Sequence, residues 1–248
     1  MTVRRRNFLL SVAMTALAAA PGFGQAAPAR DGTPIPDFSG MWSHPWLPGY
    51  EPLASGPTSL RNLSRRDGVS NPLQLVGDYN NPILKPETAA TVKKFGEMSI
   101  AHYGFHNPRN QCWPNGLPFV LSSNGLEIFQ QGDRITMIYQ VDHQVRRVRM
   151  NAQHLAKVVP SYFGDSVGHW EGDTLVIDST NFKRWSLDDW YYQDYKEYRM
   201  HSDAFHTIER IRYINDKTLS YNLTVDDPKI FSAPWSQEFT MTYKPEWE

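Results

Sequence analysis

His169-Trp170-Glu171-Gly172-Asp173-Thr174-Leu175-Val176-Ile177-Asp178 reads as two short strands folded back on one tight turn. Gly172-Asp173 supplies the residues that a two-residue hairpin turn accepts. The turn pairs Glu171 with Thr174, Trp170 with Leu175 and His169 with Val176. Trp170, Leu175 and Ile177 then share one face, and His169, Glu171, Val176 and Asp178 share the other. The same pattern recurs on both sides. Ile135, Met137, Tyr139 and Val141 alternate with Arg134, Thr136, Ile138 and Gln140. Leu219, Tyr221, Leu223 and Val225 alternate with polar residues, as do Gln237, Phe239, Met241 and Tyr243. Gly132-Asp133 and Asn215-Asp216 stand where further hairpins must turn. Strand, turn, strand, repeated from Leu126 onward, predicts a mainly β protein, an antiparallel meander of about eight strands. Eight strands suffice to close a barrel and so remove exposed edges.

Composition narrows the function classes. The chain has 248 residues, 40% hydrophobic and 21% charged, enough apolar content for a packed core. Lys plus Arg number 25 against 26 for Asp plus Glu, a net charge of -1. Such a balance offers no electrostatic footprint for nucleic acid or an anionic membrane. No apolar run reaches the ~18 residues of a membrane-spanning helix. The one cysteine, Cys112, excludes an intrachain disulfide and a multi-cysteine metal site.

The N-terminus reads as an address. Arg4, Arg5 and Arg6 precede Phe8-Leu9-Leu10, soft apolar residues continue to Ala20, and Gly24-Gln25-Ala26 offers small residues for a signal peptidase. Arg5-Arg6-Asn7-Phe8-Leu9 resembles the twin-arginine export motif; an ordinary secretory signal is the competing reading. Either way residues 1–26 are expected to be removed, and the mature protein to be periplasmic or secreted. Residues 27–125 form a proline-rich wrap, since eleven of the 18 prolines lie from Pro21 to Pro86 and exclude regular helix or central strand over most of it. Pro86-Glu87 suits a first helical turn, so one helix is expected over 86–102, with Val92, Phe95, Ser99 and His102 on one stripe. The wrap and the meander of 126–248 are read as one domain.

Two resemblances sharpen this reading. Phe38-Ser39-Gly40-Met41-Trp42 resembles the first strand of lipocalin-like and streptavidin-like barrels, which implies a Trp plugging one barrel end. Ser166 to Asp178, His206-Thr207-Ile208-Glu209-Arg210, and Asp226-Asp227-Pro228 through Pro234-Trp235 together resemble a family of exported bacterial proteins of uncharacterised function. That likeness implies export and an order of elements, and no chemistry.

Candidate chemistry follows from the faces. His169 and Asp178 are diagonal neighbours in the first hairpin, and a His oriented by a carboxylate is what acid-base catalysis needs; an exposed polar face is the alternative. At Asn215-Asp216 the register is open. A two-residue turn puts His206 and Arg210 on the Leu219 to Val225 face, and a three-residue turn puts Phe205, Glu209, Ile211 and Tyr213 there. A buried Glu209 is then either a functional group or half of an ion pair with Arg147 or Arg149. His102 and His106, four apart, with Cys112 beyond, suit a metal only if the helix continues, and Gly104 and Pro108 argue that it has ended. The loop from Phe182 to Tyr198 carries Trp185, Trp190, Tyr191 and Tyr195, flat polar-tipped rings suited to stacking on a ring-containing ligand, or simply to packing on the barrel rim.

The resulting expectation is an exported enzyme, a lyase, isomerase or hydrolase without an organic cofactor, acting on a small, partly hydrophobic, ring-containing substrate. His169 or His206 moves a proton, Asp178 or Glu209 orients it, and Tyr162 and Arg210 stabilise developing negative charge. His169 and His206 are expected to share a cavity at the barrel mouth. A non-catalytic ligand-binding barrel and a haem- or metal-binding protein are the competing classes; the oligomeric state is open. Replacing Arg5 and Arg6 by Lys is expected to leave uncleaved precursor in the cytoplasm, detected by fractionation and immunoblotting; normal export of the double variant would assign the general secretory route.

Overall fold

The computed structural model describes residues 34–44, 79–100, 112–122, 125–186 and 200–247. The expected export signal, most of the proline-rich stretch, His102, His106, Trp190, Tyr191 and Tyr195 lie outside the described residues. Nine strands close a barrel: β1 (Gly40–Ser43), β2 (Gly125–Gln130), β3 (Arg134–Tyr139), β4 (Gln144–Met150), β5 (Asp165–Glu171), β6 (Thr174–Thr180), β9 (His206–Asn215), β10 (Thr218–Asp226) and β11 (Trp235–Tyr243). A two-stranded ribbon, β7 (Trp185–Ser186) with β8 (Met200–His201), stands between β6 and β9. The eight barrel strands from Gly125 onward are the expected meander, and β1 is the ninth. It fills the gap between β2 and β11, with Trp42 opposite both Leu126 and Tyr243.

One pairing departs from the meander. β4 and β5 run parallel, in register at Val148–Ser166, Arg149–Val167 and Met150–Gly168. The reason is residues 151–164, which carry the chain back along the barrel before β5 begins. The other adjacent pairs are antiparallel. The turn at Gly172-Asp173 has the expected register, with Glu171 opposite Thr174 and His169 opposite Val176. At the β9–β10 turn, Asn215 pairs Thr218, and a bulge then shifts the ladder so that Tyr213 faces Leu219. The bulge settles the open register: Glu209 joins the Leu219–Val225 face, and His206 and Arg210 face outward.

Strand direction sorts the connections. The tight β2–β3, β5–β6 and β9–β10 turns lie at one end, and the long β1–β2, β6–β9 and β10–β11 connections leave the other. The tight-turn end is stoppered by aromatics. Phe38 and Trp42 are buried, the Trp42 indole N–H donates to the Phe38 carbonyl at 2.8 Å, and their rings pack on Trp170, Tyr213 and Tyr243. Gly40, with φ +122°, is where this element requires glycine, because a Cβ there would lie 2.7 Å from the Tyr243 ring. The plugging Trp implied by the resemblance is therefore present.

The helix α1 spans Pro86–Ile100, and the remainder of the expected 86–102 span lies outside the described residues. The Lys85 carbonyl accepts from the Ala89 N–H at 2.8 Å, so Pro86 occupies the first helical position, where it has no donor to lose. Val92 is buried. No helix among the described residues is long and apolar enough to cross a membrane.

The long-connection end is floored by packed segments. Leu84 bridges to Phe231 and Ser161 to Phe182. His201 is sealed here, stacked on Phe205 at 4.2 Å and met edge-on by Phe182. Its Nδ1 donates to the Ser202 carbonyl at 3.0 Å, while Nε2 has no hydrogen-bond partner among the described residues. Burial pushes its pKa from the ordinary 6.5 down to about 4. As pH falls, the unfolded chain therefore takes the proton first. The stabilisation is whole above about pH 6.5 and is lost as pH falls towards 4, on the order of 3 kcal/mol in all. Urea denaturation at pH 7.0, 5.5 and 4.5 is expected to show this loss in the wild type and a flatter profile in His201→Phe. Asp165 and Glu171, held below their ordinary values, begin to lose their contributions only near the ordinary carboxylate range, so they contribute little to the change between pH 7.0 and 5.5.

Candidate functional site

Alternation along β4, β5, β6 and β9 places two polar networks back to back, one inside the barrel and one outside. Inside, Arg146 reaches across the wall to Glu209. Its Nη1 and Nη2 donate to the two carboxylate oxygens at 2.7 and 2.6 Å, Nε donates to Ser166 Oγ at 3.1 Å, and Nη2 also donates to Ser179 Oγ at 2.8 Å. The Tyr221 hydroxyl donates to Glu209 Oε2. Arg146, Glu209 and Tyr221 are all buried. Burial works against the Arg146 charge, and Glu209 with the neighbouring Tyr139 and Tyr221 hydroxyls outweighs it, holding the guanidinium well above its ordinary value. Burial and then the Glu209 charge push Tyr221 well above its own, so the phenol stays protonated and donates.

This resolves the two readings of Glu209. Both oxygens are occupied by donors, so it is half of a structural ion pair. The partner is Arg146 and neither Arg147 nor Arg149, because alternation turns those two outward. Gln144, Arg146, Val148 and Met150 form the inner row of β4, and Val148-x-Met150 is the signal in the sequence that places Arg146 inside.

The outer network holds the imidazoles. His206 Nε2 lies 2.9 Å from Asp178 Oδ1, and His154 Nε2 lies 3.1 Å from the same oxygen. His154 Nδ1 lies 3.1 Å from Asp165 Oδ2, so both of its ring nitrogens face carboxylates. Asp165 also accepts from Arg149 Nη2 at 2.7 Å and from the Leu155 N–H at 2.9 Å. Burial raises the Asp165 pKa and these bonds, with that from His154, overcome it, leaving the carboxyl below its ordinary value. The result is one continuous line, Arg149–Asp165–His154–Asp178–His206. Side-chain exposure of 29% for His154, 37% for Asp178 and 33% for His206 leaves the far end open to solvent.

His206 and Asp178 thus meet, across β6 and β9. The expected His169–Asp178 contact does not form. His169 is half exposed and turns to Glu171 Oε1, 3.2 Å away on its own strand face, while Asp178 is taken by the two imidazoles. Arg210 pairs with Glu171 Oε2 at 2.7 Å, so His169, Glu171 and Arg210 make a separate exposed cluster. His169 and His206 do not meet in a shared barrel mouth among the described residues, because both side chains are on the outer face. His154 was not legible, because 151–164 has no period-two pattern and no motif; Arg149 was read only as a possible partner of Glu209, and Asp165, just before the Ser166–Asp178 run, was not singled out.

Tyr162 and Trp185 meet edge-to-face at 4.7 Å, and Trp113 joins Trp185 at 5.8 Å. The Trp185 indole donates to the Pro114 carbonyl at 2.8 Å. Lys183 lies over the Tyr162 ring at 4.9 Å and donates to its hydroxyl at 3.2 Å. Lys183 follows Thr180, whose hydroxyl is 3.4 Å from His154 Nδ1, so the aromatic cluster continues β6 beyond the imidazoles. Among the described residues no group of three or more His, Cys, Asp or Glu is arranged to hold a metal, and Cys112 is an exposed free thiol.

The chain matches no protein-family model, and no curated protein matches it.

Removing one partner of the inner pair leaves a buried charge without compensation. Glu209→Gln and Arg146→Met are each expected to cost about 3–5 kcal/mol, measured by urea denaturation. The double variant should recover a large part of that loss. Equal or greater loss in the double variant would mean that the network acts through packing rather than charge.

Proposed function

We propose that the chain is an exported small-molecule enzyme that uses His–carboxylate acid-base chemistry, with His206 as the group that exchanges the proton. The reading rests on one observation: Asp178 orients His206 at 2.9 Å while a third of that imidazole stays open. With Nε2–H donated to the carboxylate, the Nδ1 lone pair is free to take a proton from a bound substrate or from water, and Asp178 stabilises the imidazolium that forms. His154, held by Asp165 and Arg149, fixes Asp178 from the other side. Of the two carboxylates considered for this role, Glu209 is sealed within the barrel and Asp178 has the access.

The substrate class is a small, partly hydrophobic molecule with a ring. Tyr162, half-buried and backed by the buried Trp185, offers the stacking ring, with Lys183 beside it for developing negative charge. The reaction is a proton transfer in the manner of a lyase, isomerase or hydrolase, without an organic cofactor, and the expected compartment is the periplasm or beyond.

The test is turnover of a panel of ring-containing lactones, esters and enolisable ketones by the purified exported protein, followed by mass spectrometry and proton exchange. His206→Ala and Asp178→Asn are expected to lower kcat by about 10²–10⁴, with the fold retained by circular dichroism. His169→Ala should leave the rate unchanged. A His206→Ala protein as active as the wild type would end this reading.

A further inference from the structure

Below the inner ion pair, towards the long-connection end, lies a group of buried polar atoms without hydrogen-bond partners among the described residues. Asn115 is fully buried, and neither its Oδ1 nor its Nδ2 has a hydrogen-bond partner. Gln144 accepts at Oε1 from the Asn115 N–H at 3.0 Å and the Gly116 N–H at 3.4 Å, while its Nε2 is unpaired. Thr207 is fully buried with Oγ1 unpaired. Gln144 and Asn115 are in contact, and strand register sets Thr207 on the same side of the ion pair. Gln144 stands two residues before Arg146 on the inner row of β4. Thr207 stands two before Glu209 on β9 and opposite Ser179, whose hydroxyl accepts from Arg146.

Buried polar groups in folded proteins are almost always hydrogen-bonded, so an unpaired cluster calls for an occupant. We propose that this end of the barrel interior binds a small neutral molecule carrying a carbonyl beside an N–H, such as a primary amide or a lactam. The Gln144 and Asn115 amides and the Thr207 hydroxyl donate to its carbonyl, and Asn115 Oδ1 accepts its N–H. Neutrality follows from the neighbours: Arg146 and Glu209 already balance each other and use their donors and acceptors mutually, so a charged ligand would enter uncompensated. An apolar ligand would leave the unpaired atoms as they are. The Tyr139–Phe163 stack, nearly parallel at 5.6 Å, borders the group through Gln144, the strand partner of Tyr139, and offers apolar area to the remainder of the molecule. This site is distinct from the outer-face imidazoles and does not depend on their being catalytic.

The experiment is thermal unfolding of the wild type, Thr207→Val, Asn115→Leu and His206→Ala, each titrated with benzamide, 2-pyrrolidone and benzoate. Benzamide or 2-pyrrolidone is expected to raise the wild-type Tm saturably by a few degrees. The shift should persist in His206→Ala and vanish in Thr207→Val, an isosteric change that keeps the fold even if Asn115→Leu does not. Benzoate should give none. An equal shift in wild type and Thr207→Val, an equal response to benzoate, or no response to either neutral probe would each overturn the proposal. So would a crystal structure soaked with benzamide that shows only water between Asn115, Gln144 and Thr207.

Discussion

The Arg146–Glu209 pair is the interaction on which the barrel wall depends. Its donors and acceptors come from five successive strands: Arg146 on β4, Ser166 on β5, Ser179 on β6, Glu209 on β9 and Tyr221 on β10. Two ions inside a barrel cost several kcal/mol each in lost hydration. The fold offsets that cost by filling both carboxylate oxygens and giving the guanidinium a fork of well-aligned acceptors. The placement also answers a weakness in the sheet. β4 and β5 meet in the one parallel pairing among the described barrel strands, over only three residue pairs, and Arg146 Nε bonds Ser166 across that seam. A side-chain bond thus reinforces the ladder at its short parallel seam.

Alternation carries the functional consequence. Since successive residues face opposite sides, the strands that present Arg146, Ser179 and Glu209 inward must present Arg149, Asp178 and His206 outward. The two networks share a wall, with opposite environments. Inside, each charge is saturated and sealed, which suits structure. Outside, Asp178 holds two imidazoles with solvent at their edge, which suits exchange. The same residue types acquire different roles from the side of the sheet they occupy.

The fold was legible in the sequence because period-two alternation and turn residues are local signals. The Gly172-Asp173 hairpin needed no more than those. The parallel seam was not legible, since nothing in residues 151–164 marks a return along the barrel. The site was half legible. His206 and Asp178 stand out as a His and a carboxylate on strands, yet their meeting depends on β6 and β9 being adjacent, a pairing across the β7–β8 ribbon that no short-range pattern encodes. Arg146 could be read from its alternation with Val148 and Met150, whereas the neighbouring Arg147 and Arg149 obscure it. His154 could not, because a loop histidine acquires meaning only from the carboxylates that the fold sets on either side of it. Likewise the inner position of Glu209 turns on a single bulged residue near Ile214, which inverts the faces of the strand below it.

The seating of β1 constrains how the chain can fold. Trp42 pairs with Tyr243, so the first strand of the barrel is hydrogen-bonded to the last, across some two hundred residues. Closing so long a loop is slow, because its entropy is lost before the pairing at its ends can offset it. Until β1 arrives, β2 and β11 present unpaired backbone edges, the form in which sheets recruit one another. A ribosome-bound chain cannot complete this barrel before its C-terminal strand has emerged. Closure therefore waits for β11, and protection of those two edges until then is the requirement placed on whatever handles the nascent chain.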